Sequence, residues 1–93
     1  MKPYALAKPI KGKAMNKTTA IGLFDQIKDE YEVFYNEVGN MRLVVCLSEA
    51  CCQVTLQEKS WDYGISTKQS EIIPASSDRR ADYCLAIEQV FDK

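Results

Sequence analysis

Three segments of alternating apolar and polar residues follow one another in the middle of the chain, and they constrain the fold more than any other feature. Residues 41–48 alternate, residues 52–57 alternate more cleanly, and residues 61–66 alternate again. Alternation with a period of two is typical of a strand that buries one face. Because only short connections separate the segments, they predict an antiparallel sheet. A fourth, short strand is expected at residues 70–73, where Pro74 would confine it to an edge.

The alternation also assigns side chains to the two faces of this sheet. One face of the first two strands carries only apolar residues and is expected to be buried: Met41, Leu43, Val45, Leu47, Cys52, Val54 and Leu56. The opposite face of the first strand carries Val44 and Cys46, which would meet solvent in a monomer of two layers. These two residues are therefore candidates for an interface between two copies of the chain.

The segment before the strands has a helical pattern. Apolar residues recur at steps of three and four across residues 20–38, which is typical of an amphipathic helix, and Gly39 suits the position just past its end. A hairpin is the alternative, because residues 31–35 favour a strand and Gly39 with Asn40 suits a two-residue turn. In that hairpin Glu37 would share a face with apolar side chains, so we prefer one long helix.

A second helical pattern closes the chain. The loop at residues 74–78 ends in the helix-capping residues Ser76, Ser77 and Asp78, and Ala81, Cys84 and Ile87 follow at helical spacing. The order of helix, three or four strands, and helix lacks the repeated strand–helix alternation that builds a parallel sheet. It predicts a two-layer α+β domain, in which both helices cross one face of an antiparallel sheet. We place this single domain at residues 16–93.

The charge of the chain is divided unevenly. Residues 1–17 contain five lysines and no acidic residue, whereas the rest of the chain contains seven basic and thirteen acidic residues. This division predicts a flexible basic arm at residues 1–15, outside the acidic domain, with Met15 as an alternative translational start. The arm has no arginine and a single aromatic residue, Tyr4. We therefore expect it to be solvated, and we do not expect nucleic-acid binding.

The residue types present argue against most enzyme classes. The chain has no histidine, which removes Ser-His-Asp and Cys-His catalysis and every histidine-ligated metal site. The four cysteines include no C-x-x-C pair, and the four glycines form no phosphate-binding loop. We therefore expect no catalysis, no metal and no cofactor. No apolar stretch is long enough to span a membrane and no secretory signal is evident, so the cytoplasm is the expected location.

Aromatic residues offer a candidate ligand site. Four of them are candidates for a pocket between the sheet and the first helix: Tyr31, Tyr35, Trp61 and Tyr63. Concave sites lined by aromatic rings are the usual form of small-molecule sites. The neighbouring Glu32 and Asp62 would favour a cationic apolar ligand through charge and cation–π contacts.

Together these observations favour a small, non-enzymatic interaction protein. A domain of this size has little sheet with which to cover the aromatic side chains of the first helix as well as Val44 and Cys46. Burial between subunits solves that problem, so we expect a homodimer, with a small-molecule-binding domain as the alternative. The chain resembles no particular family, although its length and composition suit an origin in phage or mobile bacterial DNA.

Overall fold

The structure is a computed structural model that describes residues 7–10, 14–36, 40–60 and 64–92. The elements within these ranges are β1 (Ala7–Ile10), α1 (Lys17–Gly22), a 3-10 helix (Leu23–Gln26), β2 (Tyr31–Asn36), β3 (Met41–Leu47), β4 (Cys51–Ser60), β5 (Gly64–Pro74) and α2 (Arg79–Phe91). The predicted α+β class is confirmed, with a helix on either side of an antiparallel group of strands in the chain order.

The strands form one sheet in the order β1-β2-β3-β4-β5. Strands β2 to β5 pair with their neighbours antiparallel, whereas β1 pairs parallel to β2. Parallel neighbours need a long crossover connection, and α1 with the 3-10 helix supplies it between β1 and β2. The crossover therefore places the first helix against the sheet.

Both helices pack on one face of the sheet, which we call the inner face. Leu43 and Val45 from β3 and Val54 from β4 lie there with no exposed surface, against Tyr83 and Ile87 from α2. The buried face predicted for β3 and β4 is thus confirmed. The helix α2 begins after Asp78, whose carboxylate accepts from the Ala81 amide at 3.1 Å, as the capping pattern predicts.

The expectation of one long helix over residues 20–38 is wrong, and the hairpin alternative describes residues 31–36 correctly. Adjacent residues of β2 are buried on opposite faces, Val33 at 5% exposure and Phe34 at 0%. A strand buried on both faces loses the alternation of a half-buried strand, and its apolar residues then imitate a helical pattern. The turn before β2 is closed by Glu32, whose carboxylate accepts from the amides of Lys28 and Asp29 at 2.8 and 3.1 Å.

The predicted fourth strand and residues 64–66 of the predicted third strand are parts of one strand, while residues 61–63 lie outside the described residues. β5 runs from Gly64 to Pro74 without a break, so it includes the short edge strand expected at residues 70–73. The change of pattern between the two predicted strands is a β-bulge, at which the register with β4 shifts between Leu56 and Gln57. A bulge inserts one extra residue and so interrupts the alternation without ending the strand.

The domain begins earlier in the chain than expected. Ala7–Ile10 forms an edge strand on β2, Ile10 packs against the core, and Met15 is buried. For these residues the expectation of an arm outside the fold is wrong. A four-residue strand that contains Pro9 has no alternation to detect, which is why the sequence pattern did not reveal it.

Candidate functional site

The face of the sheet opposite the helices, here called the outer face, is the candidate site. Following the pairing of the strands, its described side chains are Pro9, Tyr31, Val33, Tyr35, Arg42, Val44, Cys46, Cys51, Gln53, Thr55, Gln57, Lys59, Thr67, Ser70, Ile72 and Pro74. Among the described residues no helix packs against this face, because α1 and α2 both contribute to the core on the inner face.

Val44 and Cys46 lie on this outer face, as the alternation predicts. The strand pairing sets Val44 opposite Val33, and Cys46 opposite Tyr31. Val33 is almost fully buried, Val44 and Cys46 are half-buried, and Tyr31 is 42% exposed. Cross-strand neighbours on one face contact each other, so these four side chains form an apolar patch across β2 and β3.

The outer face contains a shallow hollow of about 250 Å³. The side chains that line it are Tyr31, Arg42, Val44, Cys46, Gln53, Thr55 and Gln57. At one end Arg42 lies opposite Gln57, and two atoms there are buried without a hydrogen-bond partner, the Arg42 Nε donor and the Gln57 Oε1 acceptor. Unpaired buried polar atoms are costly, so this end of the hollow is the least satisfied polar environment on the face.

Charge is depleted on the outer face, and acidic residues are absent from its described part. Of its sixteen described side chains only Arg42 and the exposed Lys59, near the C-terminal end of β4, are charged, whereas charged residues make up 27% of the whole chain, a share that would place about four there. Several carboxylates of the described residues lie elsewhere. Glu32 points to the inner face, Asp82 lies on α2, and Asp25 pairs with Arg80 between the helical segments.

The aromatic pocket proposed from the sequence is only partly described. Tyr31 and Tyr35 share the outer face of β2, so they lie on the side of the sheet away from α1 rather than between the sheet and that helix. Trp61 and Tyr63, together with Asp62, lie outside the described residues. Glu32 is on the opposite face and is engaged by backbone amides, so it does not favour a cation beside the tyrosines.

None of the four cysteines is in a disulfide. Burial raises the pKa of the Cys52 thiol to about 11, which keeps it protonated and unreactive near neutral pH. Within the described part of the chain, no three cysteine or acidic side chains are grouped as ligands for a metal ion.

A polar cluster that the sequence analysis missed joins the start of α2 to the β3–β4 hairpin. Arg79 Nη2 donates to the carbonyls of Ser48 at 2.6 Å and Cys51 at 3.1 Å, and Arg79 Nη1 lies 3.4 Å from Asp82 Oδ2. Asp82 is buried and accepts from the Ser76 hydroxyl at 2.6 Å and the Ser76 amide at 2.9 Å. Arg79, Asp82 and Ser76 bond to one another or to backbone groups of the protein. The cluster therefore joins α2 to the β3–β4 hairpin and leaves none of these three side chains directed at a ligand.

No family model, curated protein or solved structure matches the chain. In the described residues no helix is long and apolar enough to cross a membrane. The functional argument therefore starts from the outer face alone.

Proposed function

We propose that the protein is a non-enzymatic interaction protein that works as a homodimer, in which the outer faces of two copies pack together. The observation that supports this most is an apolar patch with little charge around it, on a sheet face over which the described residues place no helix. An antiparallel sheet that faces solvent normally carries polar and charged residues on that side. Here β2 and β3 carry Tyr31, Val33, Val44 and Cys46 on that side, and Ile72 on β5 is 59% exposed.

The residue types of the outer face suit the centre of a protein interface. Such centres are depleted in charge and enriched in tyrosine and arginine relative to the rest of the surface. The outer face offers Tyr31, Tyr35 and Arg42, while its remaining polar groups, apart from Lys59, are neutral amides and hydroxyls. Neutral groups of this kind both donate and accept, so they can pair with the same groups on a second copy.

The geometry of a sheet also supports a second copy as the partner. Two antiparallel sheets pack face to face at about 10 Å, with side chains from both faces interdigitating. A two-fold axis beside Val44 would bring the apolar patch of one copy onto the same patch of the other. The patch lies on β2 and β3, in the interior of the sheet order, where neighbouring strands hold it flat against a partner.

Introducing a charge at one residue tests the proposal. Val44→Lys places an ammonium group in the apolar patch beside Arg42, where the described outer face offers no carboxylate, and in a buried interface that charge is strongly destabilising. We expect the variant to be a folded monomer, read as a halved mass in sedimentation equilibrium with an unchanged circular dichroism spectrum.

Two control variants separate dissociation from unfolding. Leu85→Lys introduces the same charge at a residue of α2 that is 44% exposed and not on the outer face, so this variant should remain dimeric. Leu43→Glu charges the fully buried inner face and should unfold the chain. A Val44→Lys variant that keeps the mass of the wild type would contradict the proposal.

A further inference from the structure

We propose that the hollow at Arg42 binds a small organic carboxylate, and that this ligand tightens the homodimer. The inference rests on the proposed function, because it concerns the same outer face. Arg42 lines the hollow, no acidic side chain lies on the described part of that face, and the buried Nε of Arg42 has no hydrogen-bond partner. A carboxylate accepts hydrogen bonds from the planar guanidinium group of an arginine. The planar group matches the shape of the carboxylate, which the point charge of a lysine ammonium does not.

The need for a ligand follows from the symmetry of the dimer. In an interface between identical faces, each copy brings the same groups. No carboxylate lies on the described part of the outer face, so a second copy offers Arg42 no counter-charge from these residues. Burying the guanidinium of Arg42 in the interface without a paired anion costs free energy, because the charge leaves water. An anion held in the hollow removes that cost, and mass action then links its binding to dimer formation.

The lining of the hollow defines the class of ligand. Tyr31, Gln53, Thr55 and Gln57 contribute neutral hydrogen-bonding groups that can donate to an anion. A rotation of the Gln57 amide by 180° replaces its unpartnered Oε1 with a donating Nε2. Val44 and the ring of Tyr31 provide apolar surface beside these donors.

The volume of the hollow, about 250 Å³, lies below the range of sites for drug-sized molecules, so the ligand is small. These features fit a carboxylate on a small apolar body. Benzoate has this shape and charge, and benzyl alcohol is its uncharged counterpart.

The experiment measures the dimer dissociation constant by sedimentation equilibrium at pH 7 and constant ionic strength, in chloride and in benzoate. We expect benzoate to lower the dissociation constant by about tenfold or more, and benzyl alcohol to leave it unchanged. Arg42→Gln should abolish the response to benzoate. Arg80→Gln is the matched control, because Arg80 is an exposed arginine that pairs with Asp25 away from the sheet, and it should keep the response.

A second measurement reads ligand binding independently of self-association. The side-chain Nε–H signal of Arg42 in an ¹⁵N-correlated NMR spectrum should shift on titration with benzoate, and this resonance is assigned by its loss in Arg42→Gln. Such a shift in a chain that remains monomeric would support the carboxylate site and contradict both the homodimer and the linkage. A dimer that is insensitive to benzoate, with an unshifted Nε–H, would overturn this inference while the proposed function stands.

The chain has two acidic residues, Glu37 and Asp62, outside the described ranges. The double variant Glu37→Gln, Asp62→Asn tests whether a carboxylate of the protein itself fills the hollow. We expect the double variant to respond to benzoate as the wild type does. A response that appears only in the double variant would overturn the inference, since the chain would then supply its own anion.

Discussion

The hydroxyl of Tyr83 donates a hydrogen bond of 2.5 Å to the carbonyl of Ala20, which lies 63 positions earlier in the chain. Both residues have no exposed surface, and the bond joins α2 to α1 above the inner face of the sheet. The ring of Phe24 packs against the Tyr83 ring at a centroid separation of 5.4 Å, and the Arg80 guanidinium lies over the Phe24 ring, 4.7 Å from its centroid. The helix α1 has only six residues, and a helix of this length is not stable by itself in water. This hydrogen bond and the packing around it therefore hold it in place.

Tyr83→Phe is expected to lower the free energy of unfolding by about 1 kcal/mol, because it removes one buried hydrogen bond and keeps the packing of the ring. The Ala20 carbonyl also accepts from the amide of Leu23, so it does not lose every partner, and the effect should not be larger. Urea denaturation measures the change. A midpoint equal to that of the wild type would show that the hydroxyl does not stabilise the contact between the helices.

The Asp82 cluster predicts a dependence of stability on pH. The Ser76 hydroxyl and amide, with Arg79 nearby, hold the pKa of Asp82 below its ordinary value of 3.8. A carboxylate whose pKa is lower in the folded state stabilises the fold above the ordinary pKa, and this contribution is lost as the pH falls below it. The urea midpoint of the wild type should therefore fall between pH 5 and pH 2. The Asp82→Asn variant should be less stable at pH 7 and should lose less of its stability over the same range.

The helices and strands that bury only one face could be predicted from the sequence. β3, β4 and α2 each bury a single face, so the apolar residues of these elements show the period of the structure, and the outward position of Val44 follows from it. β2 could not be predicted in this way, because Val33 and Phe34 are buried on both of its faces. The prediction of a helix there failed for that physical reason.

Features that depend on distant parts of the chain were also not predictable. Arg79 bonds to Ser48, 31 positions away, and no local pattern announces such a contact. The hollow at Arg42 depends on the pairing of β3 with β4 and on the absence of a described helix over that face. Periodicity identifies which side chains point outward, but it does not show what covers them.

The N-terminal strand leads to a prediction about truncation. A chain that lacks residues 1–10 loses β1 and the contact of Ile10 with the core, and it leaves the edge of β2 unpaired. We expect the thermal midpoint to fall by roughly 5 °C or more, since each kcal/mol corresponds to a shift of about 4–8 °C in a domain of this size. Replacing the lysines of residues 1–10 with glutamine, as a control for charge, should leave the midpoint near that of the wild type. An unchanged midpoint after truncation would show that β1 does not stabilise the domain.

The thiols provide a probe of both faces of the sheet. Cys52 is buried on the inner face with a pKa of about 11, so it should react with a thiol reagent only after unfolding. Cys46 is half-buried on the outer face, and its reaction should slow as the protein concentration rises and the dimer forms. Cys84, on α2, is also half-buried and serves as the control, because its rate should not depend on concentration. A Cys46 rate that stays constant across the dimerisation range would contradict burial of this residue in the interface.

The mass of the wild-type protein in solution tests the homodimer most directly. Sedimentation equilibrium over a range of protein concentrations, in buffer with and without benzoate, gives this mass without any substitution in the chain. The account predicts a species of twice 10.5 kDa that dissociates on dilution, as expected for an association through one sheet face. A single species of 10.5 kDa at every concentration in both buffers would contradict it.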